Sequence, residues 1–280
     1  MPRDDAFQAA RWRARLVLAF ERRDARTVLA SRRHDGPLVV QKPLYPEGES
    51  ICHAIVVHPP AGIVGGDELV IDVAAGKGAA VLLTTPGAGK WYRSAGAWAS
   101  QRVSIDAQDG STVEWLPQET IVYDGARADI GWEGRIGPEA RLIAWDIVCL
   151  GRTGSGERFD EGRLRTGARL VRDGKLAWTE RGAIEPGGAL ATSSAGLGGH
   201  SVFGTMIVAA PVIEDEWLAA ARTHRAREGE GAATRMPHVL VARYRGDSTE
   251  AAREHFGAIW RELRAPVMSH APAEPRIWRT

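Results

Sequence analysis

The sequence carries no excess of charge of either sign. Its 36 Lys and Arg face 35 Asp and Glu, leaving a formal net charge of +1. A dedicated nucleic-acid binder shows a basic excess or stripe, so that class is not expected. Long apolar runs are missing too. The longest, Met206 to Ile213, is broken by Pro211 and falls well short of the roughly 18 residues of a membrane span. Cysteine is scarce: Cys52 and Cys149 cannot make a disulfide framework in a chain of 280 residues, and they fit a reducing cytoplasm. A secretory leader is not expected, because Asp4 and Asp5 occupy the place of a basic n-region and LVLAF is too short for an apolar one. Lysine is rare beside arginine, which reads as a base-composition bias of the source genome. Disorder is not expected either, since 44% hydrophobic content can supply a core.

Glycine and proline are mildly abundant, at 32 and 15 residues. They punctuate short apolar segments that recur every ten to fifteen residues, among them Leu38–Gln41, Ile51–His58, Leu69–Val73, Ala79–Thr85, Thr112–Leu116 and Leu142–Cys149. Turn clusters such as Asp35-Gly36, Gly65-Gly66, Asp109-Gly110 and Asp173-Gly174 separate them. That spacing predicts an all-β body over residues 1–205, a sandwich or a coiled, β-helix-like stack of short strands. No fixed-period repeat is visible, so a regular repeat solenoid is not expected. Residues 206–280 differ. Pro211–Arg227 has helical spacing, His238–Tyr244 reads as a strand, and Asp247–Leu263 reads as a second helix with Asp247 as N-cap and Glu250 three residues on. The expected fold is mainly β, with a small helix–strand–helix C-terminal part packed on the same domain.

Chemistry has few footholds. TTPGAGKWYRS resembles a phosphate loop, but Thr84 and Trp91 stand where glycine and a hydroxyl residue are required, so a tight turn is the better reading. Cys52, His53 and His58 share one strand-like segment. Cys52 and His58 face the same way but lie about 20 Å apart at strand rise, too far to chelate one ion. Acids in apolar surroundings are the stronger signal. Asp146 sits inside LIAWDIVCL, Glu180 follows LAWT, Glu114 lies in TVEWLPQE, and Asp67 marks a Gly65-Gly66-Asp67 corner. An ionised acid so placed must be paired or solvated. Arginines such as Arg141, Arg152 or Arg181 can neutralise these acids, or the acids can face water on a sheet edge. Alternatively the acids line an internal polar passage that holds divalent ions loosely.

Five blocks resemble the urease accessory protein UreD (UreH) family. They are LVVQKPLYPEGESICHAIVVHPPAGIVGGDEL, LLTTPGAGKWYRSAG, VEWLPQETIVYDGA, LIAWDIVCLGRTGSGERF and the terminal PRIWRT. Gly89 departs from the pattern, where relatives commonly carry a hydroxyl residue before the Lys. The resemblance implies a non-catalytic maturation factor that joins UreF and the GTPase UreG on apo-urease and assists nickel insertion. It implies no tightly bound cofactor, with nickel only in transit. Membrane and nucleic-acid partners are not implied. Asp67, Asp146 and Glu180 match acids that family models place along a nickel route, and Glu114 is a weaker candidate. A cytoplasmic carbohydrate-active enzyme or binding module is the alternative, with Glu114, Glu119 and Trp115 as its only foothold. Trp260 and Trp278 are read either as interface aromatics toward UreF or as core.

Overall fold

The computed structural model describes residues 12–279. The leader reading at Asp4 and Asp5 lies outside the described residues. The chain winds as a coil of strands. In each turn a long strand crosses one sheet, a short strand makes a narrow third face, and a second long strand returns across the other sheet. The turns are β4 (Ile51–Val57), β5 (Gly62–Ile63), β6 (Glu68–Ala75); then β7 (Ala80–Thr84), β8 (Gly89–Trp91), β9 (Ala99–Ala107); then β10 (Thr112–Trp115), β11 (Thr120–Val122), β12 (Arg127–Ile136). A last turn consists of β13 (Arg141–Leu150) and β14 (Arg163–Arg172). Corresponding strands pair in parallel, with Ile51, Ala80, Thr112 and Arg141 in register.

Antiparallel strands close the edges. β1 (Arg13–Arg23) pairs in parallel with β6 and carries β2 (Arg26–Asp35), β3 (Val39–Val40) pairs with β4, and β15 (Lys175–Ile184) pairs with β14. On the other sheet β16 (Val202–Ala209) pairs with β13, followed by β18 (Val239–Gly246) and β17 (Glu230–Met236). The sheets hold seven and eleven strands.

The coil is regular although no repeat is legible, which corrects the expectation above. Its only recurring demand is at the corners 76–79, 108–111 and 137–140. Each ends on a fully buried small residue, Ala79, Ser111 or Ala140. Main-chain bonds stack these corners, from Thr112 N–H to the Ala79 carbonyl and from Arg141 N–H to the Ser111 carbonyl. One small residue per turn, added to inward alternation, is too little identity to show as a repeat.

Alternation builds the core. In β12 every second residue is buried, with Ile130 and Trp132 facing Ala144 and Leu142 across the interior. β13 is buried on both sides, as its continuous apolar run requires. Its second face (Ile143, Trp145, Ile147, Cys149) packs on Phe256, Ile259, Trp260 and Leu263 of α3 (Thr249–Met268). Both cysteines are buried and free.

The C-terminal part differs from expectation in detail. α2 is Asp215–Thr223, shorter than the pattern suggested, and a short α1 (Ala189–Thr192) lies in the glycine-rich loop. Ser248, not Asp247, caps α3, its hydroxyl accepting from Ala251 N–H at 3.1 Å. Asp247 instead clamps the preceding loop through His200 and Ser201. α3 runs to Met268, past Leu263, because Pro266 falls in its last turn and Ser269 closes it in the left-handed conformation. β17 has no legible pattern because EGAATRM buries none of its residues and so shows no apolar alternation. A division at 205/206 would cut β16, which joins both parts in one sheet. No helix among the described residues is long and apolar enough to cross a membrane.

Trp260 is fully buried, and Trp278 meets Trp145 at a tilt and Trp260 edge-on, each with centroids 5.4 Å away, while donating to Thr84 Oγ1 at 2.9 Å. Trp260 is therefore a core residue, and Trp278 is a half-buried side chain packed against that core. Trp278→Ala is expected to cost about 2–4 kcal/mol in chemical denaturation. An unchanged midpoint would show that the tail does not stabilise the fold.

Candidate functional site

Inward alternation on β13 points Asp146 into the space between the sheets. Pairing sets Thr205 of β16 beside it and Arg243 of β18 beside Thr205. On the facing sheet Trp132, Ala168 and Glu180 line up across β12, β14 and β15. One polar layer thus crosses an otherwise apolar interior. Glu180 Oε1 accepts from Arg243 Nη1 at 2.8 Å, joining the two sheets, whereas Glu180 Oε2 is buried without a partner among the described residues. A cavity of about 450 Å³ opens beside the layer, lined by Thr166, Glu180, Phe203, Thr205 and Arg243.

Asp146 is half-buried between the sheets and is not itself among the residues that line that cavity. Burial pushes its carboxyl up to about 7; the Trp132 indole, donating to it, pulls the other way, and the nearby Glu180 adds to the rise. The arginines suggested by sequence do not serve these acids. Arg152 pairs with Glu157, Arg141 reaches Ser269, and Arg181 belongs to the outer face of β15.

Asp67 lies three turns away in the coil. By strand spacing that is about 14 Å along the axis. It caps its own corner, Oδ2 accepting from Val64 N–H at 2.9 Å, and Gly66 (φ +104°) makes the bend. Burial lowers the pKa of His58, against the opposing field of Asp67. His58, Val56, Ile71 and Trp115 line a second cavity of about 300 Å³ in the lower turns. Among the described residues no three His, Cys, Asp or Glu side chains gather as a metal cage. Asp146 and Glu180 share one layer, and Asp67 stands apart from them.

Glu114 belongs to another assembly. It faces α3, where Trp260 Nε1 donates to Oε1 at 2.6 Å and Arg264 Nη2 to Oε2 at 3.0 Å. Arg264 has no exposed surface and also donates to Glu47 Oε1 at 2.7 Å, whose carboxylate is joined by His53 Nε2 at 2.6 Å. Burial pushes Glu47 up, but the bonds from His53 and Arg264 outweigh it and hold the carboxyl at about 2. Burial lowers Arg264, and the two glutamates more than reverse that. Both Glu114 oxygens are thus occupied by cationic and indole donors. Glu119 pairs with Arg253 and Trp115 is buried, so these residues do not form an open glycan groove. Sequence reasoning missed Glu47 and Arg264, and took His53 only as a residue of its strand, without its partner. Their only local signal is Trp260 and Arg264, four apart on one helix face. The phosphate-loop resemblance also dissolves, since Lys90 lies in the three-residue β8 and Thr84 is buried under Trp278.

The model of the family described as UreD urease accessory protein matches residues 13–279. A urease accessory protein UreD from Azoarcus sp. (strain BH72) is 55% identical over 269 residues, covering 96% of this chain and 94% of the relative. One from Dechloromonas aromatica (strain RCB) is 47% identical over 277 residues, covering 96% and 95%. One from Pseudomonas savastanoi pv. phaseolicola (strain 1448A / Race 6) is 41% identical over 280 residues, covering 100% and 99%.

Asp146 makes stability depend on pH with a definite sign. Its ordinary value is 3.8 and its folded value about 7, so between these the folded state keeps a proton that the unfolded chain releases. The contribution is complete below about pH 4 and is lost as pH rises through about 7. Asp146→Asn cannot ionise, so its melting temperature relative to the parent should be higher at pH 8 than at pH 5. Equal differences at both pH values would show that Asp146 is freely solvated.

The Arg264 network carries a separate expectation. Arg264→Met leaves two buried carboxylates without their cation and should cost about 3–5 kcal/mol in denaturant unfolding. Adding Glu114→Gln should restore part of that loss. Additive costs would show that the two side chains act independently.

Proposed function

The chain belongs to the UreD urease accessory protein family, and on that footing we propose that it is a urease maturation factor that joins UreF and the GTPase UreG on apo-urease in the cytoplasm and assists nickel insertion. The polar layer of Asp146, Thr205, Arg243 and Glu180 carries this reading. Hydrophobic residues would fill that space with less cost, and the unpartnered Glu180 Oε2 gains nothing for the fold.

The chemistry suits transit. Carboxylate and hydroxyl oxygens hold a divalent ion of the nickel class more loosely than imidazole or thiolate would. With Asp146 poised near neutrality, an entering cation favours the ionised form and displaces the proton. Asp67, near the second cavity, is the third station of the proposed route. Glu114 remains the weakest candidate because Arg264 and Trp260 already occupy it. Catalysis is not proposed for this chain.

Co-expression with urease subunits, UreF and UreG tests the proposal. Asp146→Ala, and more weakly Asp67→Ala and Glu180→Ala, should leave capture of apo-urease intact. Metal analysis of the purified urease should show reduced nickel, and Asp146→Ala with Glu180→Ala should lower it further than either alone. Full nickel loading by the double variant would end the passage idea. An Asp146→Ala protein that no longer folds or captures apo-urease would make this acid structural.

A further inference from the structure

Gly131 of β12 and Gly167 of β14 stand side by side in register, on the strand side that faces away from the core. Arg102 of β9 and Arg181 of β15 flank the two glycines in the same row. Adjacent rows bring Asp129 beside Arg165 and Glu133 beside Arg169. The result is a furrow of about 720 Å³ on the outer face of the seven-stranded sheet, floored by glycine backbone and walled by arginine.

The fold accounts for only one of these glycines. A Cβ on Gly131 would meet the Gly167 carbonyl oxygen at 2.9 Å, so the neighbouring strand excludes it. A Cβ on Gly167 would meet nothing nearer than the Glu180 carbonyl oxygen at 3.8 Å, an ordinary contact, and Gly167 is not among the residues with positive φ. Glycine inside a strand weakens it and marks a bulge, a bend or the close approach of another backbone. The β12–β14 register runs unbroken from Arg127↔Arg163 to Ile136↔Arg172, and the β14–β15 register shifts only between Leu170 and Val171, three residues beyond Gly167, which leaves close approach. Parallel strands are usually covered on both faces, and here α2 and α3 pack only on the strands of the other sheet.

Charge says what would lie there. Arg102 is matched by Asp129 at 2.7 Å and Arg169 by Glu133 at 2.9 Å. Arg165 stacks over Trp98 at 4.2 Å, and neither Arg165 nor Arg181 has a carboxylate partner among the described residues. We infer that this furrow docks an extended acidic segment of a partner protein, its backbone over Gly131 and Gly167 and its carboxylates on Arg165 and Arg181.

Fluorescence anisotropy on the full chain tests this with a labelled peptide alternating Glu and Ser, its Lys–Ser counterpart, and an oligothymidylate of similar charge. The acidic peptide should bind saturably and weaken with salt, while the other two bind far less. Arg181→Glu should weaken it about tenfold through like-charge repulsion, and Gly167→Leu should weaken it similarly by filling the furrow. Neither variant should lower the melting temperature. No saturable binding of the acidic peptide, or equal binding of the lysine peptide, would overturn the inference. Equal binding of the oligothymidylate would make the furrow a general polyanion site, and an affinity unchanged in Arg181→Glu would place the peptide elsewhere; either result overturns it.

Discussion

A guanidinium buried without any exposed surface ties the C-terminal helix to the coil. Arg264 reaches Glu114 on β10 and Glu47 in the 41–50 loop, and Glu47 in turn holds His53 on β4. Such a group is costly to desolvate, and a paired network of this kind often stabilises a fold no more than apolar packing would. Its consequence is selection. A rotated or slipped α3 would strand two carboxylates in the interior, so only one docking satisfies the charges. That docking also delivers Trp260 to Glu114 and seats the Trp278 tail against Trp145 and Thr84.

With α3 fixed on one side, β13 is covered on both faces and its inward residues can form a lumen. The first three turns of the coil fill that lumen mostly with Leu, Ile, Val and Trp. The last turn is different because its strands hand over to antiparallel hairpins. There β15 and β18 bring Glu180 and Arg243 toward Asp146, and the interior becomes polar. The contrast explains why two neighbouring acids behave differently. Glu114 faces the helix and is matched by the Arg264 guanidinium and the Trp260 indole. Asp146, only one strand over but on the opposite face, meets an indole and another acid, and its proton is held to near neutral pH.

Much of this was legible from local pattern. The turn clusters and alternation marked the strands, the apolar run around Asp146 marked a strand buried on both faces, and the acids in apolar surroundings were found by their cost. Partners were not legible. Glu180 and Arg243 lie 63 residues apart, and Glu114 and Arg264 lie 150 apart. Nothing within a strand or helix says which distant cation will arrive. The N-cap at Ser248 was missed because Asp247 is as good a capper locally, and only the 200–201 loop decides that it is used elsewhere.

The sequence by itself determined the β-rich body, the helical C-terminal part and the family, because period-2 patterning, turn residues and long contiguous blocks are local properties of a chain. Patterning left open whether the body is a sandwich or a coil. The tertiary structure alone decided which acids are matched and which are left facing an internal space. It also decided that Trp260 is core with Trp278 packed half-buried against it, and that two glycines on different strands make one furrow. Those outcomes depend on which strands and helices are stacked beside one another. Solvation and charge pairing are set by neighbours in space, and the coil makes neighbours of residues far apart in the chain.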